Sequence, residues 1–340
     1  MPDLSQKHGS ASNVAVAAGC KAPVVETTHQ RLAAARELSW RYLGRRITFY
    51  LPGMFRLDGH TGRYPAVSIT GDKCALQCDH CQGKILAGMP PAADPATLVE
   101  TCRRMADQGH IGVLISGGCD PDGTVPWKAF LPAIETIKST TDLVISVHCG
   151  LVDPETAIDL KQAGVDQALV DVIGDDETYQ AIYHVPFGVE RIDAALEALS
   201  LAQLPIVPHI VCGIAYGRIR GEYAAVEMIA RYAITQLVVV ALMRIPGTPT
   251  ARSEPPKAEH VAGIIAAARF KMPEVPISLG CARQRGNSRL EELAIDAGVN
   301  KLALPSEQAV ARAKYYGLEI KHQPTCCSVT GSYLMDSFKC

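Results

Sequence analysis

Three cysteines in one short segment are the residues of this sequence with the clearest chemical meaning. They are Cys74, Cys78 and Cys81, spaced four and then three residues apart. Thiolates are the usual ligands of iron–sulfur clusters, and a 4Fe–4S cube presents four iron corners. Three thiolates therefore hold three corners and leave one iron open to a small molecule. Structural zinc is the alternative, but it normally needs a fourth Cys or His in a paired arrangement.

The rest of the chain alternates between short apolar runs and longer runs of helical period. Alternation of this kind builds a parallel sheet, and eight units match a closed (β/α)8 barrel of the TIM type, an α/β fold. Functional groups in such a barrel gather at the C-terminal ends of the strands. An open doubly wound sheet is the alternative. The predicted strands are residues 65–70, 111–116, 143–148, 167–172, 206–211, 237–242, 277–280 and 301–304.

The barrel pattern is flanked by two shorter regions. Residues 1–64 are predicted to be an N-terminal extension, loose over the first 28 residues and then helical at 30–42. Residues 65–320 are assigned to the barrel, and residues 321–340 to a C-terminal tail.

The composition is that of a globular chain without a strong charge field. It has 340 residues, with 48% hydrophobic residues and 33 Lys+Arg against 35 Asp+Glu. This balance provides no basic surface for nucleic acid or an anionic membrane. No apolar run reaches the ~18 residues of a membrane span, and the first residues lack the order of a secretion signal. We therefore predict a cytoplasmic protein, in which the twelve cysteines favour metal ligation over disulfides.

The cysteine segment follows the first predicted strand directly, and in that position it resembles the motif of the radical S-adenosylmethionine (SAM) superfamily. The resemblance implies a 4Fe–4S cluster whose open iron chelates the amino and carboxylate groups of SAM. It also implies reductive cleavage of SAM to methionine and a 5′-deoxyadenosyl radical. An electron donor such as ferredoxin or flavodoxin is then a partner.

Four further residues are candidates for binding SAM. Gly117 and Gly118 follow the second predicted strand and look like the superfamily segment that meets the SAM amino group. Asp171 ends the fourth predicted strand, a position suited to a ribose hydroxyl. Arg191 opens the next helix, where a guanidinium can pair with the methionine carboxylate. For Asp171 and Arg191, a surface ion pair is the alternative.

Over about residues 66–318, the closest pattern is that of biotin synthase. The residues that carry this resemblance include Glu190–Arg191, segment 247–249, segment 268–273 and segment 279–283. Biotin synthase holds a sacrificial second cluster on cysteines within its strands and on an arginine. None of the corresponding cysteine positions here is Cys, although Arg283 stands at the arginine position. Those positions are near Ile115, Ser116, Ser146 and Val207.

Other cysteines are candidate ligands of an auxiliary 4Fe–4S cluster. One set lies just beyond predicted strands two, three, five and seven: Cys119, Cys149, Cys212 and Cys281. A competing set is Cys326 and Cys327, in a tail that can fold over the barrel mouth. His148 and His209 are candidates for supporting groups. The alternative is that these cysteines are small buried residues.

A biotin synthase-like barrel with a changed auxiliary site resembles the two-component lipoyl synthases first known from archaea. This implies a sulfurtransferase that inserts sulfur into an octanoyl chain carried by a lipoyl protein or domain, with a paralogous radical SAM subunit as partner. Biotin synthase itself and a maturase or methylornithine-type enzyme are alternatives. A redox-sensing iron–sulfur or zinc scaffold is another, but it does not explain the segments at Gly117–Gly118 and Arg191.

Overall fold

The computed structural model describes residues 27–57 and 59–329, and it shows an α/β fold. Strands β2 and β3 form a small hairpin, and the other ten strands form one sheet. In chain order the strands are β1 (Arg46–Tyr50), β2 (Arg56–Leu57), β3 (His60–Thr61), β4 (Ala66–Ser68), β5 (Gly112–Ser116), β6 (Val144–His148), β7 (Gln167–Asp171), β8 (Ile206–Cys212), β9 (Leu237–Ala241), β10 (Ile277–Leu279), β11 (Lys301–Ala303) and β12 (Glu319–Gln323).

Helices cover the outside of the sheet. Several begin at a side chain that accepts the backbone N–H three residues on, as Asp94, Asp153 and Asp175 do. None of the helices in the described ranges is long and apolar enough to cross a membrane. They are α1 (Thr28–Leu43), α2 (Pro95–Asp107), α3 (Leu131–Thr140), α4 (Pro154–Gln162), α5 (Asp176–Tyr183), α6 (Glu190–Leu201), α7 (Glu222–Ile229), α8 (Ala258–Lys271), α9 (Ser288–Asp296) and α10 (Glu307–Tyr315).

The large sheet is parallel throughout and curls into a half-barrel of the TIM type. Its strands run in the order β4 to β11, followed by β1 and then β12. The two edges come together where the N–H of Arg63 before β4 donates to the carbonyl of Pro324 after β12. This arrangement confirms the predicted α/β barrel class and places the C-terminal strand ends at one mouth.

The number of strands differs from the prediction. All eight predicted strands are present, and β1 and β12 are additional. β1 lies between β11 and β12, so the large sheet extends beyond residues 65–320. β12 is an edge strand with exposed or half-exposed side chains and has no apolar run, whereas β1 buries Ile47, Phe49 and Tyr50 and is interrupted by a half-exposed Thr48. The predicted helix at 30–42 is present as α1.

The apolar residues divide between an outer and an inner core. Residues alternate along each strand, so that on β9 Leu237 and Val239 pack outward against the helices, whereas Val238 and Val240 face the lumen. The inner core consists of Tyr50, Leu169, Val207, Val238, Val240, Ala303 and Cys327. This alternation decides which strand-end side chains can meet inside the barrel.

The chain after β12 forms a floor under the lumen. Three side chains at the N-terminal starts of strands hold its backbone: Gln167 Nε2 donates to the Ser328 carbonyl (3.4 Å), Gln236 Nε2 to Cys327 (2.9 Å) and Lys301 Nζ to Val329 (3.0 Å). We call residues 324–329 the barrel floor. The tail was expected to fold over the mouth, but this part enters from the opposite end. Residues 1–26, 58 and 330–340, with Cys20 and Cys340, lie outside the described residues.

Candidate metal centre at the barrel mouth

The loop after β4 brings the three predicted cluster cysteines to the barrel mouth. The Cys78 carbonyl accepts the backbone N–H of Cys81 (3.0 Å), and this turn brings the two thiols into hydrogen-bonding contact. Cys74 is close enough to interact electrostatically with Cys78. Cys78 is buried, whereas the other two cysteines are partly exposed. The loop therefore presents a close pair of thiols and a third thiol beside it.

The environment of the close pair favours a thiolate at one of its two members, Cys81. The hydrogen bond with Cys78 and the neighbouring His80 lower the pKa of Cys81 to about 4. The same hydrogen bond, together with burial, raises the pKa of Cys78. A thiolate is the form that binds metal, so this donor set suits an iron–sulfur cluster.

The spacing of the thiols also bears on the kind of metal site. Within residues 27–57 and 59–329, one group of three potential ligands is close enough for a single ion, with ligand atoms within 4.8 Å of one another, and it is His148, Asp171 and His209. The three cysteines are not drawn so close together, so the loop does not present a preformed site for a single zinc ion.

Asp79 fixes the cysteine loop to the rest of the mouth. Its carboxylate contacts His184 Nε2 (2.8 Å) and accepts the hydroxyl of Tyr216. The Asp79 backbone N–H donates to Ile182 (2.9 Å), and its carbonyl accepts from Thr250. The sequence analysis did not assign Asp79 a role. Its only signal was a charged residue between two predicted ligands.

The two glycines after β5 lie against the cysteine loop. A Cβ on Gly118 would stand 2.0 Å from the Lys73 carbonyl oxygen and 2.5 Å from the Cys74 Cβ. The Gly118 N–H donates to Thr70 Oγ1 (2.7 Å), which fixes this approach. Only glycine fits here, because any side chain would displace backbone. The structure thus brings Gly117 and Gly118 beside the predicted cluster ligands.

Asp171 and Arg191 line two different pockets, Asp171 the lumen cavity and Arg191 a groove that Trp127 and Leu151 also line. Asp171 ends β7 facing the lumen, with its Oδ1 3.9 Å from His148 Nε2. The Arg191 guanidinium lies 4.8 Å from the Phe187 ring centroid, and among the described residues it has no ion-pair partner. Tyr179 is electrostatically close to Asp171, Arg191 and Cys78, so these groups share one region.

The structure separates the four strand-end cysteines. Cys149 and Cys212 belong to the outer core, because they continue the outward-facing positions of β6 and β8. The Cys149 thiol donates to the Leu169 carbonyl (3.3 Å), and burial raises the pKa of Cys212. Cys119 lies beside the loop of Cys74, and only Cys281 reaches the lumen. The predicted single rim set is therefore not assembled.

Cys281 instead meets the two floor cysteines. Cys326 and Cys327 are hydrogen-bonded to each other, and Ser328 Oγ donates to Cys326 Sγ (3.1 Å). The Cys327 and Ser328 contacts lower the pKa of Cys326 to about 6. Cys281 interacts electrostatically with both. The sequence singled out all three thiols, but in two competing sets.

A cavity of about 230 Å³ lies inside the lumen; Cys281, Cys326 and Cys327 line it, whereas the cysteine loop contributes His80 and none of its three thiols. It reaches from His80 in the cysteine loop to the floor, with Asp171 and His148 in its wall. His209 also lines it, and burial lowers the pKa of that imidazole to about 4, which keeps it neutral at neutral pH. The remaining wall is mainly aliphatic and includes Ile85, Leu114, Leu169, Val211, Val238, Val240, Leu242, Met243 and Ile245.

Arg283, which stands at the arginine position of the biotin synthase pattern, is fully engaged elsewhere. Its buried guanidinium donates to Glu291 Oε1 (2.7 Å) and to the carbonyls of Gly280 (2.6 Å) and Ala303 (2.7 Å). These contacts join the chain after β10 to the end of β11. They leave Arg283 as a structural group of the barrel rim.

Comparisons with known proteins agree with this architecture. The family model "Radical SAM superfamily" matches residues 68–219, and "Biotin and Thiamin Synthesis associated domain" matches residues 238–332. Residues 68–219 therefore form a radical SAM domain. More particularly, the organisation of the chain is biotin synthase-like.

Curated relatives include biotin synthases from two bacteria. The Delftia acidovorans protein is 28% identical over 52% of this chain and 52% of its own length. The Halorhodospira halophila protein is 24% identical over 70% of this chain and 74% of its own length. The chain spans about half the length of the first relatives it matches, 52% and 50%.

Two solved structures show the same fold at low identity. Methylornithine synthase (PylB) has a TM-score of 0.58 at 17% identity, covering 86% of this chain and 89% of that protein. The FeFe-hydrogenase maturase HydG from Carboxydothermus hydrogenoformans has a TM-score of 0.59 at 19% identity, covering 83% and 65%. At these identities the likeness concerns the fold alone.

A radical SAM domain implies a 4Fe–4S cluster and SAM, and the mouth fits both. The loop offers three thiols, and Gly118 leaves its backbone uncovered beside Cys74. Arg191 offers a guanidinium that no carboxylate of the described residues occupies.

We expect Arg191→Ala to raise the SAM concentration needed for half-maximal cleavage about tenfold or more. A charge-assisted hydrogen bond to a carboxylate contributes ~1.5–3 kcal/mol, which corresponds to that change. The measurement is SAM titration with 5′-deoxyadenosine as readout. Arg289→Ala, which breaks an exposed ion pair with Glu259, is the control. An unchanged SAM requirement with a large loss of thermal stability would make Arg191 structural.

Proposed function

We propose that this chain is a radical SAM sulfur-insertion enzyme acting on an octanoyl chain carried by a lipoyl protein or domain. The observation that carries the proposal is the aliphatic cavity lined by His80 of the cysteine loop and by the thiols of Cys281, Cys326 and Cys327. One group of thiols lies in the mouth loop, where SAM is cleaved, and the other lies at the floor. An alkyl chain lying in this cavity has a radical source at one end and a sulfur source at the other.

In this proposal, different residues of the mouth bind the cluster and separate parts of SAM. When bound, the cluster and SAM supply a 5′-deoxyadenosyl radical that removes hydrogen from unactivated carbon. Cys74, Cys78 and Cys81 hold the cluster. Asp171 binds a ribose hydroxyl, and Arg191 binds the methionine carboxylate, so that SAM keeps one orientation above the cavity.

The cavity wall suits an apolar substrate. Its aliphatic side chains come from β5, β7, β8 and β9, and the polar groups Asp171 and His148 lie towards the mouth. An octanoyl chain has no polar group to satisfy, so it enters such a wall at little desolvation cost. The amide end, attached to the carrier lysine, then lies at the open mouth.

The proposal implies partners as well as a substrate. A carrier protein must present the octanoyl chain at the mouth, a paralogous radical SAM subunit makes the other C–S bond, and ferredoxin or flavodoxin supplies electrons. We place all of them in the cytoplasm.

Biotin synthase activity is the second candidate, and the names of the curated relatives favour it. The lumen argues against it. At the position of a biotin synthase-type ligand, Ser146 Oγ lies 2.7 Å from the Tyr64 hydroxyl. Ser116 and Val207 stand at two other such positions. The cysteine ligands of the biotin synthase pattern are therefore absent from these positions.

Anaerobic turnover distinguishes the two candidates. Reduced protein is incubated with SAM and either an octanoylated lipoyl-domain peptide or the sulfur-free precursor of biotin, and products are detected by mass. We expect a mass gain of one sulfur on the octanoyl peptide and none on the biotin precursor. The Cys78→Ala variant controls for background. If sulfur is found on the biotin precursor alone, the chain has biotin synthase activity and the proposed function is wrong. If SAM is cleaved but neither substrate gains sulfur, both candidate functions are rejected.

A further inference from the structure

The second group of thiols has the same internal arrangement as the first. At the mouth, Cys78 and Cys81 form a hydrogen-bonded pair, and Cys74 is a third thiol beside them. In the lumen, Cys326 and Cys327 form the pair, and Cys281 is the third thiol. Among the described residues, neither group is drawn together as tightly as the ligands of a single ion. The chemistry of the donors, three thiols in each group, is what suits an iron–sulfur cluster.

The three lumen thiols come from two sides of the barrel. Cys281 follows β10 at the mouth side, and Arg285 holds its carbonyl through Nη2 (3.1 Å). Cys326 and Cys327 come from the floor, and Cys327 lies beside Ser278 of β10. All three line the same cavity.

The floor holds its two cysteines rigidly. Backbone carbonyls at and after Cys327 are fixed by Gln236, Gln167 and Lys301, and the Val329 N–H closes a turn onto the Cys326 carbonyl (3.0 Å). Cys327, Ser328 and Val329 are almost completely buried. A metal site needs ligands held in position by such outer contacts.

A buried cation lies next to the floor thiols. The Lys301 ammonium, almost completely buried, interacts electrostatically with Cys326 and Cys327, whereas the Arg285 guanidinium that interacts with Cys281 belongs to an exposed residue. Burying a cation is costly unless a negative group faces it. Thiolates bound to a metal cluster provide that negative charge inside the lumen.

We propose that Cys281, Cys326 and Cys327 are the protein ligands of a second iron–sulfur cluster in the barrel lumen. The inference deepens the proposed function, because this cluster is then the sulfur source, but it concerns ligands that can be tested without turnover. The set joins one strand-end cysteine with the two floor cysteines. His148 lines the same cavity and interacts electrostatically with Cys326.

Iron analysis of the full chain tests the ligand set. A Cys74/Cys78/Cys81→Ala triple variant, reconstituted anaerobically with iron and sulfide, should keep about four irons with a 4Fe–4S Mössbauer signature. Adding Cys281→Ala, Cys326→Ala or Cys327→Ala should remove most of that iron. Adding Cys149→Ala or Cys212→Ala, two outer-core thiols, should leave it in place.

Folding and sulfur transfer are measured separately from the iron content. Circular dichroism and thermal melts identify any variant that fails to fold, and Cys326→Ser replaces Cys326→Ala where that occurs. The ligand set is overturned if the triple variant holds no iron, if Cys149→Ala or Cys212→Ala removes the iron from a folded protein, or if Cys326 and Cys327 are found as a disulfide after anaerobic reconstitution. A lumen cluster that depends on Cys281, Cys326 and Cys327, with no sulfur transfer to either substrate, would uphold the ligand set and reject the proposed function.

Discussion

Cys78→Ala should reduce SAM cleavage by more than ~100-fold, because even changes to groups that only support metal ligands cost 10–100-fold. Cys78 is the buried member of the close thiol pair, and its hydrogen bond is the main cause of the low Cys81 pKa. Its loss removes one of three anchors and also makes Cys81 a poorer thiolate. The measurement is 5′-deoxyadenosine formed under anaerobic reduction, together with iron per chain.

Cys102→Ala is the matched control for Cys78→Ala. Cys102 is a buried free cysteine on α2, and burial alone raises its pKa to about 12. It lies in the outer core and lines neither the mouth nor the lumen cavity. We expect its variant to keep normal SAM cleavage with a modest loss of stability. Full 5′-deoxyadenosine production by folded Cys78→Ala protein would refute the assignment of the mouth cluster.

Gly118→Ala should remove most of the SAM cleavage and of the iron held at the mouth. The added Cβ would lie 2.0 Å from the Lys73 carbonyl and 2.6 Å from the Cys74 Cα, and both of these are backbone atoms. Overpacking in a dense site typically costs ~1–3 kcal/mol, and here the cheapest relief is movement of the cysteine loop. Iron analysis in a background lacking Cys281 measures the mouth cluster alone.

Two other glycines provide a graded comparison for Gly118. A Cβ on Gly88 would meet nothing within 4 Å, so Gly88→Ala should behave as the unchanged protein. A Cβ on Gly117 would meet side-chain carbons at 3.1–3.3 Å, which can shift slightly, so Gly117→Ala should give an intermediate loss. Equal effects of Gly88→Ala and Gly118→Ala would show that close approach to Cys74 is unimportant.

The sequence predicted the fold class because the buried strands are continuous apolar runs. It did not predict β1 and β12. The exposed and half-exposed residues of β12 look like loop sequence, whereas β1 is a short, mostly buried run that the prediction left within the N-terminal extension. Only the partner strands make them part of the sheet, since β1 is paired on both sides. Tertiary pairing, which a local pattern does not contain, decides such strands.

The mouth was more predictable than the lumen. Cys74, Cys78 and Cys81 lie in one loop, so their spacing alone brings them together. The lumen thiols come from distant segments, and the two-residue period of a strand decides which side each faces. Cys149 is separated by two and four residues from Val147 and Ile145, which face outward. The sequence alone therefore indicated that Cys149 also faces outward. No feature of the sequence indicated that Cys326 reaches the lumen from the N-terminal end of the strands.

The floor turns the barrel into a cup instead of a tube. Gln167, Gln236 and Ser328 are completely buried there, so the lower end is closed and dry. Ligands therefore enter and leave the lumen at the mouth, so the ligand that lies deepest must bind first and dissociate last. If SAM binds at the rim, an alkyl chain seated beneath it is trapped until SAM or its fragments depart. Inhibition by excess SAM, binding before the chain, is the kinetic signature of that geometry.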